Sequence, residues 1–192
     1  MQTKEVTCII LAGGQGKRMG GKNKALIPFK NSTLIEHTIR AIEPQVDRII
    51  ISANQDLLRL KKFGFAVIKD QVENQGPLIG ITSAATHVNT PIVVVTPCDV
   101  INIPETYVLE MMLKLELTES DVVVAKTTQR THYLNCAFKL EILEDLKKII
   151  SKGTLRVSDW QAKMRTSYVE FNGEGEHAFK NLNEPCDLYE TS

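Results

Sequence analysis

Several features that would point to particular classes of protein are missing from this chain. Lysine plus arginine and aspartate plus glutamate both number 23, so the formal net charge is zero and we expect no nucleic-acid partner. No apolar run approaches the roughly 18 residues that span a bilayer, and the polar start, Met1 to Val6, lacks the apolar core of a signal peptide. We therefore expect a cytoplasmic protein with no membrane partner.

Cysteine and histidine also give little sign of metal or nucleophilic chemistry. The four cysteines are far apart and form no C-x-x-C pair, which argues against a zinc site or a disulfide framework. None of the four histidines pairs with a cysteine or serine in a catalytic arrangement, although His132, in a polar loop, is within reach of the predicted site.

Short runs rich in valine and isoleucine alternate with amphipathic segments of about ten residues. This alternation predicts an α/β fold in three layers, in which helices cover both faces of a Rossmann-like, mostly parallel sheet. We expect one domain, residues 1–192. The predicted strands are residues 6–11, 48–53, 65–69, 92–96, 121–126, 135–139 and 167–171, and the predicted helices are residues 34–42, 54–63, 77–87, 104–115, 140–150, 156–163 and 184–189. Residues 24–29 are predicted to be extended.

The first predicted strand stops abruptly in a stretch rich in glycine and cations, from Leu11 to Lys24. Glycine lets backbone N–H groups approach a ligand, and clustered lysine and arginine favour an anion, so this stretch predicts a phosphate-binding loop. Two familiar phosphate motifs do not match it. Asn23 stands where a P-loop has Ser or Thr, and Met19 stands where a dinucleotide fingerprint has its third glycine. The alternative is a flexible glycine loop with solvated charges.

Polar residues follow the other predicted strands, and the carboxyl ends of parallel strands share one rim of a sheet. The rim positions are 11–14, 52–54, 70 and 96–99. Asp99 is either a turn cap or a ligand for a divalent cation, and Asp70 carries the same ambiguity. The segment Gly76 to Gly80 is either a simple helix start or an anion site. Asn181 and Asn183 would face the same side of an extended segment.

The glycine-rich and cation-rich stretch resembles the signature loop of nucleotidyltransferases that join a nucleoside monophosphate to a phosphorylated acceptor. Further motifs occur in the order seen in the molybdenum cofactor guanylyltransferase family, and the match runs from about Val6 to Asp187. The loop reads Leu11-Ala12-Gly13-Gly14-x-x-x-Arg18-Met19-Gly20-x-x-x-Lys24, and the further motifs are Gln45-Val46-Asp47, Ile51-Ser52-Ala53-Asn54, Asp70, Gly76-Pro77-Leu78-Ile79-Gly80, Pro97-Cys98-Asp99, Arg156-Val157-x-Asp159-Trp160 and Asn181-x-Asn183.

The resemblance implies a fold of the nucleotide-diphospho-sugar transferase type. It also implies a reaction in which GTP and molybdopterin, with or without its molybdenum, give the guanine dinucleotide cofactor and pyrophosphate. Mg²⁺ is the implied cofactor, and GTP and molybdopterin are the implied substrates. We further expect a monomer that makes transient contact with cofactor-synthesis or acceptor enzymes.

The resemblance also assigns roles to individual residues. Nucleotide binding falls to Leu11, Ala12, Gly13, Gly14, Lys24, Ser52, Asp70 and Asp99, with Asp99 as the metal ligand. Acceptor binding falls to Gly21, Gly76, Pro77, Gly80, Asn181 and Asn183. Catalysis is expected from Arg18 and Lys24, which would offset anionic charge while the acceptor phosphate attacks the α-phosphorus, and from Asp99, which would hold a Mg²⁺ that bridges phosphates. The sequence departs from the family pattern in three places. Asn23 replaces a common aspartate, Ser52 replaces an asparagine seen in some members, and Val100 and Ile101 follow Asp99 where the family often has a proline nearby.

Two other functions stay open. One is a nucleotidyltransferase with another substrate pair, either CTP with molybdopterin or a nucleoside triphosphate with a sugar phosphate. The joint presence of the motifs around Gly76, Asp99 and Asn181 speaks against it. The other is a nucleotide-binding cofactor chaperone that does no chemistry, against which the retention of Arg18, Lys24 and Asp99 speaks.

Overall fold

The computed structural model of the chain describes residues 5–14, 23–72, 75–171 and 178–182. Its strands are β1 (Val6–Leu11), β2 (Pro28–Phe29), β3 (Ser32–Thr33), β4 (Arg48–Ser52), β5 (Ala66–Ile68), β6 (Ile92–Pro97), β7 (Val100–Ile101), β8 (Val122–Lys126), β9 (Thr131–Lys139), β10 (Thr166–Glu170) and β11 (Lys180–Asn181). Its α-helices are α1 (Leu34–Ile42), α2 (Leu57–Leu60), α3 (Pro77–Ala85), α4 (Tyr107–Leu117), α5 (Leu143–Ser151) and α6 (Val157–Gln161). Short 3-10 helices cover Lys24–Leu26, Glu43–Gln45, Lys61–Phe63 and Leu140–Ile142. None of the helices in these ranges combines the length and apolarity needed to cross a bilayer.

Seven strands form one sheet in the order β10-β8-β9-β6-β1-β4-β5. β1 lies between β6 and β4 and is parallel to both, while β5 and β10 are parallel to their neighbours β4 and β8. β9 runs antiparallel to both β6 and β8. The prediction of a mostly parallel sheet is therefore confirmed. β11 pairs with β7, and β2 pairs with β3, in two small antiparallel sheets.

The core lies on both faces of this sheet. Successive side chains of a strand point to opposite faces, and those of β1 are divided in this way. Cys8 and Ile10 join a cluster with residues of α1 and α4, whereas Ile9 joins a cluster with residues of α3, α5 and α6. All three of these β1 side chains are fully buried. Helices therefore cover both faces in three layers, as the alternation along the sequence predicts.

Local sequence signals set the starts of two helices near the carboxyl ends of the strands. α1 begins with a capping box, in which the Thr33 N–H donates to the Glu36 carboxylate at 2.8 Å. α3 begins at Pro77, whose ring suits the first helical turn. Gly76 precedes it with a φ of +95°, a conformation that favours glycine over residues that carry a Cβ.

The segment between the glycine-rich stretch and α1 differs from its predicted extended form. Asn23 Oδ1 accepts a hydrogen bond from the Ala25 N–H at 3.1 Å, and this side-chain cap begins the 3-10 helix Lys24–Leu26. The helix ends before Pro28, where β2 begins. The Asn23 cap therefore helps to set the position of Lys24.

Two other segments also differ from prediction. The helix predicted over residues 54–63 begins later, since the N-cap of α2 is Asp56 and the Asn54 side chain binds elsewhere on the rim. β9 begins at Thr131, earlier than predicted, so His132 belongs to a strand rather than to a polar loop. The predicted last helix, residues 184–189, lies outside the described residues.

Candidate active site

A cavity of about 380 Å³ opens at the carboxyl ends of β1, β4, β5 and β6. Its volume lies in the range of small-molecule sites, and parallel sheets bind ligands at this edge. The separate rim positions in the sequence therefore form one continuous pocket. The described residues that line it are Leu11, Gly13, Gly14, Lys24, Ser52, Asn54, Asp70, Gly76, Pro77, Gly80, Pro97, Cys98, Asp99, Leu134 and Asn181.

One end of the cavity carries an ion pair between Lys24 and Asp99. Lys24 begins the 3-10 helix that follows the glycine-rich stretch, and Asp99 lies just beyond β6. Their side chains are only 16% and 13% exposed, so water and salt screen the two charges less than at an open surface. The site thus offers, side by side, a cation suited to phosphate and a carboxylate suited to a divalent metal.

Backbone hydrogen bonds fix the loop that carries Asp99. The Cys98 N–H donates to the Leu11 carbonyl at 3.0 Å, and the Leu182 N–H donates to the Asp99 carbonyl at 3.0 Å. The Thr38 hydroxyl of α1 donates to the Cys98 carbonyl at 3.2 Å. The backbone of Cys98 is therefore tied to β1 and to α1, and that of Asp99 to the segment that follows β11.

Cys98 lines the cavity, but its thiol is poorly suited to nucleophilic attack. The side chain is buried, and this burial, reinforced by the nearby Asp99 carboxylate, raises the pKa of the Cys98 thiol well above its ordinary value. The thiol therefore stays protonated near neutral pH. No histidine occurs among the described lining residues. These properties favour a site that works through charge and position.

The opposite end of the cavity carries Asp70, which follows β5. One carboxylate oxygen accepts a hydrogen bond from the Ser52 hydroxyl at 3.1 Å, and the other accepts one from Asn54 Nδ2 at 2.8 Å. The Asp70 N–H in turn donates to Asn54 Oδ1 at 3.1 Å. Asn54 and Asp70 are thus joined by two hydrogen bonds, which we call the Asn54–Asp70 clamp.

Gly80 brings helix α3 against this clamp. A Cβ at Gly80 would lie 2.7 Å from Ser52 Oγ and 3.3 Å from Asp70 Oδ1. The first distance is shorter than real Cβ contacts, so a side chain here would displace Ser52. Gly13 approaches the same cluster with less strain, since its added Cβ would lie 3.4 Å from Asn54 Nδ2.

Asn181 reaches the cavity from β11, where it is paired with Val100 of β7. Asn181 Oδ1 accepts a hydrogen bond from the Arg130 guanidinium at 2.9 Å. Because a guanidinium only donates, this bond orients the Asn181 amide and leaves its NH₂ group as a donor for a ligand.

Most of the predicted site residues converge on the cavity. Those that line it are Leu11, Gly13, Gly14, Lys24, Ser52, Asp70, Gly76, Pro77, Gly80, Asp99 and Asn181. Ala12 is not among the described lining residues, and its N–H donates to the Ser52 carbonyl at 2.7 Å. The Ala12 N–H is therefore already engaged within the fold. Arg18, Gly21 and Asn183 lie outside the described residues.

Asn54, Leu134 and Arg130 are among the residues of this region that receive no site role from the sequence. Asn54 lies at the predicted rim, but its place at the start of a predicted helix indicates only a structural role. Leu134 reaches the cavity from β9. The spacing of the sequence motifs does not predict that β9 is inserted, antiparallel, between β6 and β8. Arg130, just before β9, contacts Asn181 of β11, which is far away in the sequence. A single arginine in a polar turn forms no sequence motif that would predict this contact.

Comparison with known proteins identifies relatives over nearly the whole chain. The sequence family described as the MobA-like NTP transferase domain matches residues 8–165. The molybdenum cofactor guanylyltransferase of Shewanella halifaxensis is 35% identical over 184 residues, which are 95% of this chain and 92% of that protein.

Solved structures share the fold. A molybdopterin-guanine dinucleotide biosynthesis protein A of Archaeoglobus fulgidus matches with a TM-score of 0.78 at 19% identity, over 96% of this chain and 95% of that one. A Mycobacterium tuberculosis protein solved as a complex with manganese matches with a TM-score of 0.72 at 14% identity, over 97% and 99% of the two chains.

His132 lies beneath the rim rather than on it. The residue is buried, its ring centroid lies 5.2 Å from that of Phe179, and its Nε2 lies 3.3 Å from the Thr127 hydroxyl oxygen. Burial, reinforced by the Arg130 guanidinium, lowers the pKa of His132 from 6.5 to about 4. The folded chain therefore keeps this imidazole neutral at pH values where the unfolded chain protonates it.

We expect His132 to lower the folding stability as the pH falls. Between pH 6.5 and about 4, the unfolded state binds a proton here and the folded state does not, so the free energy of unfolding decreases toward acid pH. Chemical denaturation across this range should show a smaller decrease for His132→Gln than for the wild type. His87→Gln, which removes an exposed imidazole, is the matched control. Parallel stability curves for His132→Gln and the wild type would contradict this role.

Proposed function

Because the chain belongs to the MobA-like NTP transferase family, we propose that it transfers GMP from GTP to molybdopterin, forming molybdopterin guanine dinucleotide. An oxygen of the acceptor phosphate attacks the α-phosphorus of GTP. The bond from that phosphorus to the oxygen bridging the β-phosphate breaks, and pyrophosphate leaves. The observation that carries the proposal is the Lys24–Asp99 ion pair at the rim, in one cavity with Asn181 and the start of α3.

The chemistry of this transfer matches the groups that the cavity offers. The acceptor phosphate is already an anionic nucleophile, so the reaction needs no strong general base. What it needs is the alignment of two polyanions and the offset of charge as pyrophosphate leaves. The concave cavity supports alignment, and Lys24 supplies a cation within it. Arg18, from the glycine-rich stretch, would supply a second cation.

The residues at the Lys24 end fit a divalent cation, and we propose Mg²⁺. Asp99 offers a hard oxygen ligand, and the described part of the chain contains no group of three His, Cys, Asp or Glu side chains that could hold a metal alone. Magnesium commonly uses one or two carboxylates together with substrate phosphates, so one carboxylate beside a triphosphate suits it. When bound, the ion would neutralise phosphate charge.

The acceptor side of the proposal rests on Asn181 and the start of α3. Arg130 holds Asn181 Oδ1, so the Asn181 NH₂ group is left as a donor for an anion. Gly76 and Pro77 line the same cavity at the N-terminus of α3, where the helix dipole favours negative charge. These two features support an acceptor phosphate that approaches between α3 and β11.

A nucleotide panel tests the proposed substrates. With molybdopterin and Mg²⁺ present, we expect GTP to release pyrophosphate at least about tenfold faster than CTP, ATP or UTP. The product should have the mass of the guanine dinucleotide, and reactions without the acceptor serve as the control. Turnover with CTP but not GTP, or with a sugar phosphate in place of the pterin, would exclude the guanylyl assignment. Binding of GTP without turnover would favour the chaperone alternative.

Two charge-removing variants test the ion pair. Lys24→Ala should lower turnover at least tenfold, a loss of about 1.4 kcal/mol of transition-state stabilisation. Asp99→Asn keeps the shape of the side chain but removes its charge, so turnover and its dependence on Mg²⁺ should both fall. Lys62→Ala and Asp145→Asn, at exposed positions, are the matched controls and should keep the wild-type rate. An unchanged rate and unchanged Mg²⁺ dependence in Asp99→Asn would remove Asp99 from the mechanism.

A further inference from the structure

The Asp70 end of the cavity differs chemically from the Lys24 end. Within the described ranges, the side chains that donate to the Asp70 carboxylate are both neutral, the Ser52 hydroxyl and the Asn54 amide. Asp70 therefore faces the cavity as a carboxylate held by neutral donors.

The two ends lie far enough apart to take different parts of one nucleotide. Asp99 follows β6 and Asp70 follows β5, and these strands are separated by β1 and β4 in the sheet. With about 4.8 Å between neighbouring strands, the two strand ends are roughly 14 Å apart. With the proposed Mg²⁺ on Asp99, the Lys24 end would carry a net positive charge that attracts a triphosphate, whereas the Asp70 carboxylate would repel one. The base of a bound nucleotide therefore belongs at the Asp70 end.

Guanine is the base whose edge suits a carboxylate at this end. Its N1–H and N2–H₂ groups are adjacent donors, whereas adenine and cytosine place a ring-nitrogen acceptor beside the amino group. An ionised carboxylate only accepts hydrogen bonds, so its two oxygens complement two adjacent donors. This match requires that both oxygens of Asp70 be held facing the base edge.

Asn54 supplies that orientation. Its Oδ1 accepts a hydrogen bond from the Asp70 N–H, which fixes the amide so that Nδ2 faces the Asp70 carboxylate. We propose that Asn54 is a positioning residue for base choice, because the Asn54–Asp70 clamp holds the carboxylate as the acceptor of the guanine N1–H and N2–H₂ groups. This inference rests on the proposed use of GTP and adds the residue on which recognition of the 2-amino group depends.

The surroundings of the clamp explain why its loss should affect one group of the base. Ser52 is buried and holds only one of the two Asp70 oxygens, at 3.1 Å. Without Asn54, the Asp70 carboxylate keeps that single side-chain bond and can rotate about it. In the proposed pairing, the oxygen held by Asn54 accepts from the guanine N2–H₂ group and the oxygen held by Ser52 accepts from N1–H. Loss of Asn54 therefore leaves the first oxygen without a fixed position and weakens the hydrogen bond that inosine lacks.

Inosine triphosphate, which lacks the 2-amino group, gives a direct comparison. In titration calorimetry of the full chain with Mg²⁺ and no acceptor, we expect GTP to bind at least about tenfold more tightly than inosine triphosphate. Asn54→Ala should bring this ratio to within about threefold by weakening GTP alone. Asn54→Asp, which has the same shape but adds a second carboxylate beside Asp70, should do the same. Asn89→Ala removes an exposed amide and should keep the wild-type ratio.

Thermal unfolding of each variant distinguishes a folding defect from a recognition defect, and the isosteric Asn54→Asp serves if Asn54→Ala does not fold. Equal weakening of both nucleotides, or an unchanged ratio, would make Asn54 a structural residue only and overturn the inference. A wild-type chain that releases pyrophosphate from GTP yet binds both nucleotides equally would overturn the inference and leave the proposed function intact. A wild-type chain that turns over CTP instead would overturn the proposed function itself.

Discussion

Parallel pairing of β1 with β4 and β6 is the constraint on which the whole site depends. β5 extends the same parallel arrangement, so the segments that follow these four strands all emerge at one rim of the sheet. Residues that are remote in the sequence therefore meet there, as the Lys24–Asp99 ion pair does. The pairing of the buried, β-branched strands thus brings the polar groups of the site together, and side-chain contacts between loops are not needed for this placement.

The two carboxylates of the rim have different partners and therefore different uses. Asp99 lies beside a cation, a combination that suits phosphates and a divalent metal. Asp70 is held by the neutral side chains of Ser52 and Asn54, a combination that suits the donor edge of a base. In the proposed reaction, this difference orients GTP along the strand ends and leaves the side near Asn181 to the acceptor.

The sequence predicts the sheet because its buried strands are short, valine-rich and isoleucine-rich runs between amphipathic segments. It predicts the rim because positions that follow parallel strands must meet. It does not predict the Asn54–Asp70 clamp or the contact between Arg130 and Asn181, since each depends on side-chain orientation between segments that pair only in the folded chain. The prediction of GTP and molybdopterin as substrates rests on the family resemblance, because a phosphate-binding loop alone does not distinguish one nucleotide or acceptor from another.

The orientation of the bound nucleotide depends on all of these features together. A crystal structure of the chain with GTP and Mg²⁺ would measure it. We expect the guanine edge to lie against Asp70, with the phosphates against Lys24 and the metal on Asp99. The reverse orientation, with the base beside Asp99 and the phosphates beside Asp70, would contradict the division of the cavity into a base end and a phosphate end.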